Sequence, residues 1–169
     1  MDRTQLRAAQ QPIKQRYERE PASALVMLHA EAQLDDDEIS CSVAAGQALV
    51  RAGLHPASGG SGALACSGDM LLQALAACAG VTLRSVATSL EIPVAGSVRA
   101  EGDLDFRGTL AVKGADDAAV GFRAIRLVFD LESDATEQQL DKLVELTERY
   151  CVVYQTLLGG APVSVSRSS

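Results

Sequence analysis

The segment from Asp69 to Glu91 constrains this chain most. Met70, Leu71, Leu72, Leu75, Ala76, Ala79, Val81, Leu83, Val86 and Leu90 put apolar side chains on nearly every face of a helix. No proline interrupts the run, and only Gly80 weakens it. A helix that is apolar all round is a buried one. Ser67 or Asp69 can cap its start by accepting from free backbone N–H groups, and Pro93 marks its end. Small residues at Ala74, Ala76, Ala77, Ala79 and Gly80 let other elements approach closely. At 169 residues the chain makes one domain. A helix so apolar then needs cover from a sheet or from a second subunit.

The flanking segments supply sheet. Residues 24–32 read as a strand, the acidic tract Leu34–Glu38 as a solvated turn, and Ile39, Cys41 and Val43 as a second strand alternating with Ser40, Ser42 and Ala44. The two form a hairpin, with residues 47–54 as a possible third strand. The run 55–62 (HPASGGSG) reads as a mobile loop, since its glycines lack the Lys-Ser/Thr of a phosphate loop. Residues 97–106 alternate, with Val98, Ala100, Gly102, Leu104 and Phe106 on one face. Residues 122–131 alternate again, after a loop over 113–121. Asp134-Ala-Thr-Glu137 resembles a capping box for a helix running to about Tyr150, and residues 162–166 close as a final strand. The plan is α+β. Residues 3–19 are polar and can form a helix, are interrupted by Pro12, and read as part of an N-terminal arm. Residues 1–22 form that arm and residues 23–169 the domain.

Composition excludes several classes. With 47% hydrophobic and 22% charged residues, the chain is globular. Its net charge of −7, with basic residues scattered, argues against nucleic acid and anionic membrane partners. The start, MDRTQLRAAQ, has no apolar signal core. No run is expected to approach the roughly 18 residues of a membrane span. The expected setting is cytoplasmic, where thiols are reduced. There is no CxxC pair and only His29 and His55, so neither a metal site nor a bound cofactor is expected.

Four cysteines remain: Cys41, Cys66, Cys78 and Cys151. Each alone has a bland reading. Cys41 alternates with serines as a strand position, Cys66 is a bystander outside the helix, and Cys78 can be core filling. Cys151 follows Arg149, a cation able to favour a thiolate. Tyr150 and Tyr154 are spaced to pack on one helix.

Two segments nevertheless go together. Ser67-Gly-Asp-Met-Leu-Leu-Gln-Ala-Leu-Ala-Ala-Cys78-Ala-Gly-Val-Thr resembles the first cysteine motif of the OsmC/Ohr family, the osmotically inducible and organic hydroperoxide resistance proteins. Glu148-Arg-Tyr-Cys151-Val-Val-Tyr resembles the second, and Arg107-Gly108 with Val120-Gly121-Phe122 fits the middle. The resemblance implies an OsmC-like fold, with curved antiparallel sheets around a long buried central helix in an intertwined homodimer. It implies a thiol peroxidase acting on organic hydroperoxides in oxidative-stress defence. Cys78 would be the peroxidatic cysteine, Cys151 the resolving one, and a dithiol of the dihydrolipoamide type the reductant.

The chain departs from the hydroperoxide branch at specific points. The early turn, Asp35-Asp36-Asp37, has no Arg, and Gly68 stands where a Glu would precede the first cysteine; Asp69 follows one residue later. Val152 stands where many members carry Pro. A helix dipole fades within the first turn, so mid-helix Cys78 gains little from its own helix. A cation is then expected to stabilise its thiolate, with Arg51, Arg84 and Arg149 as candidates and Asp69 as a further thiolate-stabilising candidate. The alternative is a dimeric binding protein of the same fold with little or no peroxidase activity.

Overall fold

The computed structural model describes residues 1–25, 27, 30, 32–34, 40–45, 48–113 and 115–167, with 32–34, 40–45 and 48 described through the backbone alone. Contacts divide the chain into two units, each taken by itself. One is Ala9–Gln73 with Ala100–Leu127, and the other is Met1–Ala8 with Ala74–Arg99 and Val128–Ser169.

The first unit carries a four-stranded sheet in the order β1 (Ala32–Leu34), β2 (Ser40–Ala45), β3 (Ala48–Gly53) and β4 (Ala65–Cys66). β1 and β2 pair antiparallel with Leu34 opposite Cys41, and β2 pairs antiparallel with β3 with Ser42 opposite Arg51. The hairpin and the third strand are therefore present. β4 joins β3 in parallel, so the sheet is mixed. The strand expected over 24–32 is not formed as drawn. Pro21–Ala24 is a 3-10 turn opened by Pro21, Leu25 caps it, and among the described residues of this stretch Ala32 alone lies in a strand. The acidic turn at 35–38, His29 and the Cys41 side chain lie outside what is described.

The glycine run after β3 is ordered by His55. Its Nδ1 accepts the Ala57 N–H at 3.0 Å, opening a 3-10 turn at Pro56–Ser58. Its ring stacks on Phe106 with centroids 4.8 Å apart. A Cβ on Gly60 would lie 1.7 Å from the Leu54 carbonyl oxygen, so only glycine lets the chain return here. Phe106 opens the short helix α3 (Phe106–Thr109), capped by Asp105, instead of ending a strand. Arg107 and Arg123 surround the Asp105 carboxylate. Arg107's hydrogen bonds lead in holding its pKa down to about 2.

The long helix α2 runs Ser67–Leu90. Its length and a mean hydropathy of 1.5 over 18 residues would suffice to cross a membrane, against the expectation that no segment approaches this. Of the α2 side chains Leu75, Ala79, Leu83 and Ala87, every fourth residue, are buried, and Val81 is 73% exposed. One stripe packs and the other faces stay open. Leu83 and Ala87 join Val94 and Leu143 in a single cluster, with Phe129 and Leu131 against it. Beside the open face lies a groove of about 600 Å³ lined by Ala76, Ala77, Gly80, Val81, Val94 and Val98.

α2 ends in a Schellman motif. The Ile92 N–H reaches the Ala87 carbonyl at 3.0 Å and the Glu91 N–H reaches Thr88 at 3.3 Å. Glu91 takes the left-handed conformation, φ 58°, that glycine usually fills, and its carboxylate meets Arg3 at 2.6 Å. Arg3 opens α1 (Arg3–Arg19), a continuous helix despite Pro12. Reciprocal Asp2–Gln5 bonds of 2.8 and 3.0 Å cap its start. Arg, Gln, Ala and Lys are strong helix formers, and they carry the helix past the N–H that Pro12 lacks.

β5 (Ala95–Leu104) and β6 (Phe122–Glu132) form a two-stranded sheet. The pairs Arg99–Asp130 and Arg126–Asp103, each with a 2.8 Å contact, are those of antiparallel strands. α4 (Glu137–Tyr150) starts on a capping box made by Thr136 and Gln139, two residues later than the Asp134–Glu137 reading. A second helix, α5 (Val152–Gly159), follows a break at Cys151. Residues 161–167 form no strand in the chain, and Val163 and Val165 are 90% and 95% exposed.

Candidate functional site: two thiols at a broken helix

The site lies wholly within the second unit. α4 buries Leu143, Thr147 and Cys151 at 0% exposure, again every fourth residue. The Thr147 hydroxyl donates to the Leu143 carbonyl at 2.8 Å, and the Thr147 carbonyl accepts the Cys151 N–H at 2.9 Å. There α4 stops, because Cys151 turns extended, with φ −73° and ψ 107°. Cys151 therefore ends one helix and precedes the next. Tyr150 and Tyr154 fall on different helices, not on one.

The break matters because of the backbone it frees. In an uninterrupted helix the Val152, Val153 and Tyr154 N–H groups would donate to Glu148, Arg149 and Tyr150. Here the first bond of α5 is Gln155 N–H to the Cys151 carbonyl, 2.9 Å, and no side chain caps the helix start. Three donors at the positive end of a helix are left open.

Cys78, partly buried on α2, and buried Cys151 are both free thiols, and each acts on the other. Burial pushes the Cys78 thiol up. Hydrogen bonding from the Val153 N–H, the Cys151 thiol, the Val152 N–H and the Thr82 hydroxyl outweighs it, and the net pKa is below that of an ordinary thiol. Burial also pushes Cys151 up. The Tyr154 N–H opposes this, but Cys78 adds to it, and the net is above the ordinary value. One thiol is thus prepared as a thiolate, and its neighbour as a thiol that donates to it.

The hydrogen bonds that lower the Cys78 pKa come from backbone N–H groups, the Cys151 thiol and the Thr82 hydroxyl. Arg84 gives its Nη1 to the Val94 carbonyl at 2.7 Å. Arg149 stacks over Tyr150, 5.4 Å from the ring centroid. Arg51 sits on β3 and Asp69 in the first turn of α2, both in the other unit. Cys66 is a free thiol at the end of β4, also in that unit. The helix-dipole reasoning considered only α2, the helix that carries Cys78. The donors come from α5, and backbone N–H groups carry no residue signature. Val152 sits at the first position of α5, where proline is favoured; as Val it keeps an N–H and adds a donor. At Gly68 a Cβ would sit 3.4 Å from the Phe122 ring, so a longer side chain there would start against that ring. Among the described residues no three His, Cys, Asp or Glu side chains gather as metal ligands.

Solved structures share this fold. An OsmC-like protein from Mycoplasma pneumoniae matches with TM-score 0.65 and 20% identity, over 79% of this chain and 89% of its own. An organic hydroperoxide resistance protein from Elizabethkingia anophelis matches with TM-score 0.63 and 16% identity, over 80% and 91%. The organic hydroperoxide resistance protein OhrB of Bacillus subtilis matches with TM-score 0.57 and 18% identity, over 80% and 93%. No curated protein sequence matches significantly. The profile of the OsmC-like proteins matches residues 60–166, which include both cysteines, β5, β6 and α4. The chain belongs to the OsmC-like protein family.

Proposed function

We propose that the protein is a thiol peroxidase that reduces organic hydroperoxides in oxidative-stress defence. The observation that carries this reading is the sulfur pair itself, shifted in opposite directions at one helix start. The Cys78 thiolate attacks the terminal peroxide oxygen and the O–O bond breaks. The alkoxide leaves and takes up a proton as an alcohol, and Cys78 becomes a sulfenic acid. Cys151 then attacks the sulfenic sulfur. Its thiol proton and the departing hydroxide form water, and a Cys78–Cys151 disulfide remains. A dithiol of the dihydrolipoamide type restores both thiols through a mixed disulfide and is itself oxidised to a disulfide. A reducing, cytoplasmic setting suits this cycle.

The working unit is a homodimer. Support comes from the open face of α2, where Val81 is exposed and lines the apolar groove. Such a surface on a single chain marks an interaction site.

The test is consumption of an alkyl hydroperoxide with dihydrolipoamide as reductant. Turnover by the wild type and none by Cys78→Ser is expected; undiminished turnover by Cys78→Ser would remove the mechanism. A second reading is a dimeric binding protein without efficient turnover. It is favoured by Gly68, which stands where the hydroperoxide branch carries a Glu ahead of the first cysteine. Rapid turnover by the wild type would eliminate it.

A further inference from the structure

We infer that Gln155 is a positioning residue that frees the Val152 N–H for the Cys78 sulfur. The break at Cys151 creates a two-sided problem. The Glu148 carbonyl, near the end of α4, loses the Val152 N–H as its helical partner, while that N–H is left without a carbonyl. An exposed carbonyl of this kind competes for any nearby donor. Gln155 removes the competition, because its side-chain Nε2 donates to the Glu148 carbonyl at 2.9 Å, seven residues back. Its own backbone N–H closes the first turn of α5 on the Cys151 carbonyl, also at 2.9 Å. One residue therefore satisfies the end of α4 and starts α5. The corner is held in the extended Cys151 conformation, and re-forming one continuous helix, in which the Val152 N–H takes back the Glu148 carbonyl, would have to displace the Gln155 side chain from it. Nothing in the residue type announces this role; Gln155 is exposed and far from the chemistry in composition.

The inference rests on the reactive-thiolate reading of Cys78, but its test needs no peroxide turnover. The measurement is the pH profile of Cys78 alkylation by iodoacetamide in a Cys41→Ser, Cys66→Ser background, with the alkylated site identified by mass spectrometry. Gln155→Met keeps the length and lacks the donor. It should move the profile to higher pH and slow alkylation near neutrality about two- to tenfold, the range of one hydrogen bond. Gln155→Arg, which can still donate to the Glu148 carbonyl, should restore most of the rate. Thr156→Ala serves as the control, because it removes a different α5 bond, the 2.8 Å hydroxyl-to-Val152 carbonyl contact, and should leave the profile in place. Far-UV circular dichroism checks that each variant keeps its helices. An unmoved profile in Gln155→Met would overturn the inference, and so would an equal shift in Thr156→Ala, which would mark general loosening of α5. Absence of peroxidase activity, with the shift intact, would count against the proposed function alone.

Discussion

Helices α4 and α5 follow one another in the chain but begin in opposite ways. α4 is sealed by oxygen: the Thr136 hydroxyl accepts the Gln139 N–H at 3.3 Å, and the Gln139 side chain accepts the Thr136 N–H at 2.9 Å. α5 begins on a cysteine and has no oxygen cap. Its free N–H groups act on two sulfurs instead. The same backbone feature, a helix N-terminus with unpaired donors, is structural in one case and chemical in the other. The difference lies in whether a local side chain takes the donors first. A sealed start stabilises its helix, whereas an open start facing a thiol spends its donors on lowering a pKa.

The largest effects should come from the sulfurs. Cys78→Ser should abolish peroxide consumption, and Cys151→Ser should permit one oxidation of Cys78 and then stop, leaving a sulfenic or further oxidised Cys78 on mass spectrometry. Next comes the core that brings the helices together. Leu143→Ala, at a fully buried position, should cost about 2–5 kcal/mol in chemical denaturation. Val152→Pro removes one N–H at a position proline suits. It should leave the fold intact and shift Cys78 alkylation to higher pH, slowing it near neutrality about two- to tenfold. The smallest change, Thr136→Ala, unseals α4. It should cost about 1 kcal/mol of stability and leave the alkylation profile where it was. If Thr136→Ala moved that profile as far as Val152→Pro does, the contrast between the two helix starts would fail.

The pH dependence has a definite sign. A depressed thiol pKa keeps Cys78 ionised below the usual thiol range, so its alkylation rate should fall only as pH drops through that lowered value. Cys151, raised, should stay a thiol until pH rises above the ordinary value. With both ionisations linked to folding, the Cys78 shift stabilises the fold above the ordinary thiol pKa. That contribution is lost as pH falls through the folded value.

Much of the fold was legible because it rests on periodicity. The apolar run of α2, the alternation of β5 and β6, and the helix pattern ending near Tyr150 all match elements of the structure. The α2 reading allowed for cover from a second subunit, and within one chain one stripe of the helix is covered. α5 was not legible. The stretch from Glu148 to Tyr154 contains no glycine or proline, so Cys151 reads as the end of a helix and not as a corner between two. The capping box was displaced by two residues because Asp134 and Thr136 are both good caps, and only the backbone decides between them. The cysteine pair was legible through its family motifs. The backbone donors to Cys78 were not, because an N–H group carries no residue signature.

The most direct measurement is mass spectrometry of the reduced protein after one equivalent of an organic hydroperoxide. The account predicts a Cys78–Cys151 disulfide as the main product, with Cys66 still free. Over-oxidation of a single cysteine, a disulfide through Cys66, or no reaction would contradict it.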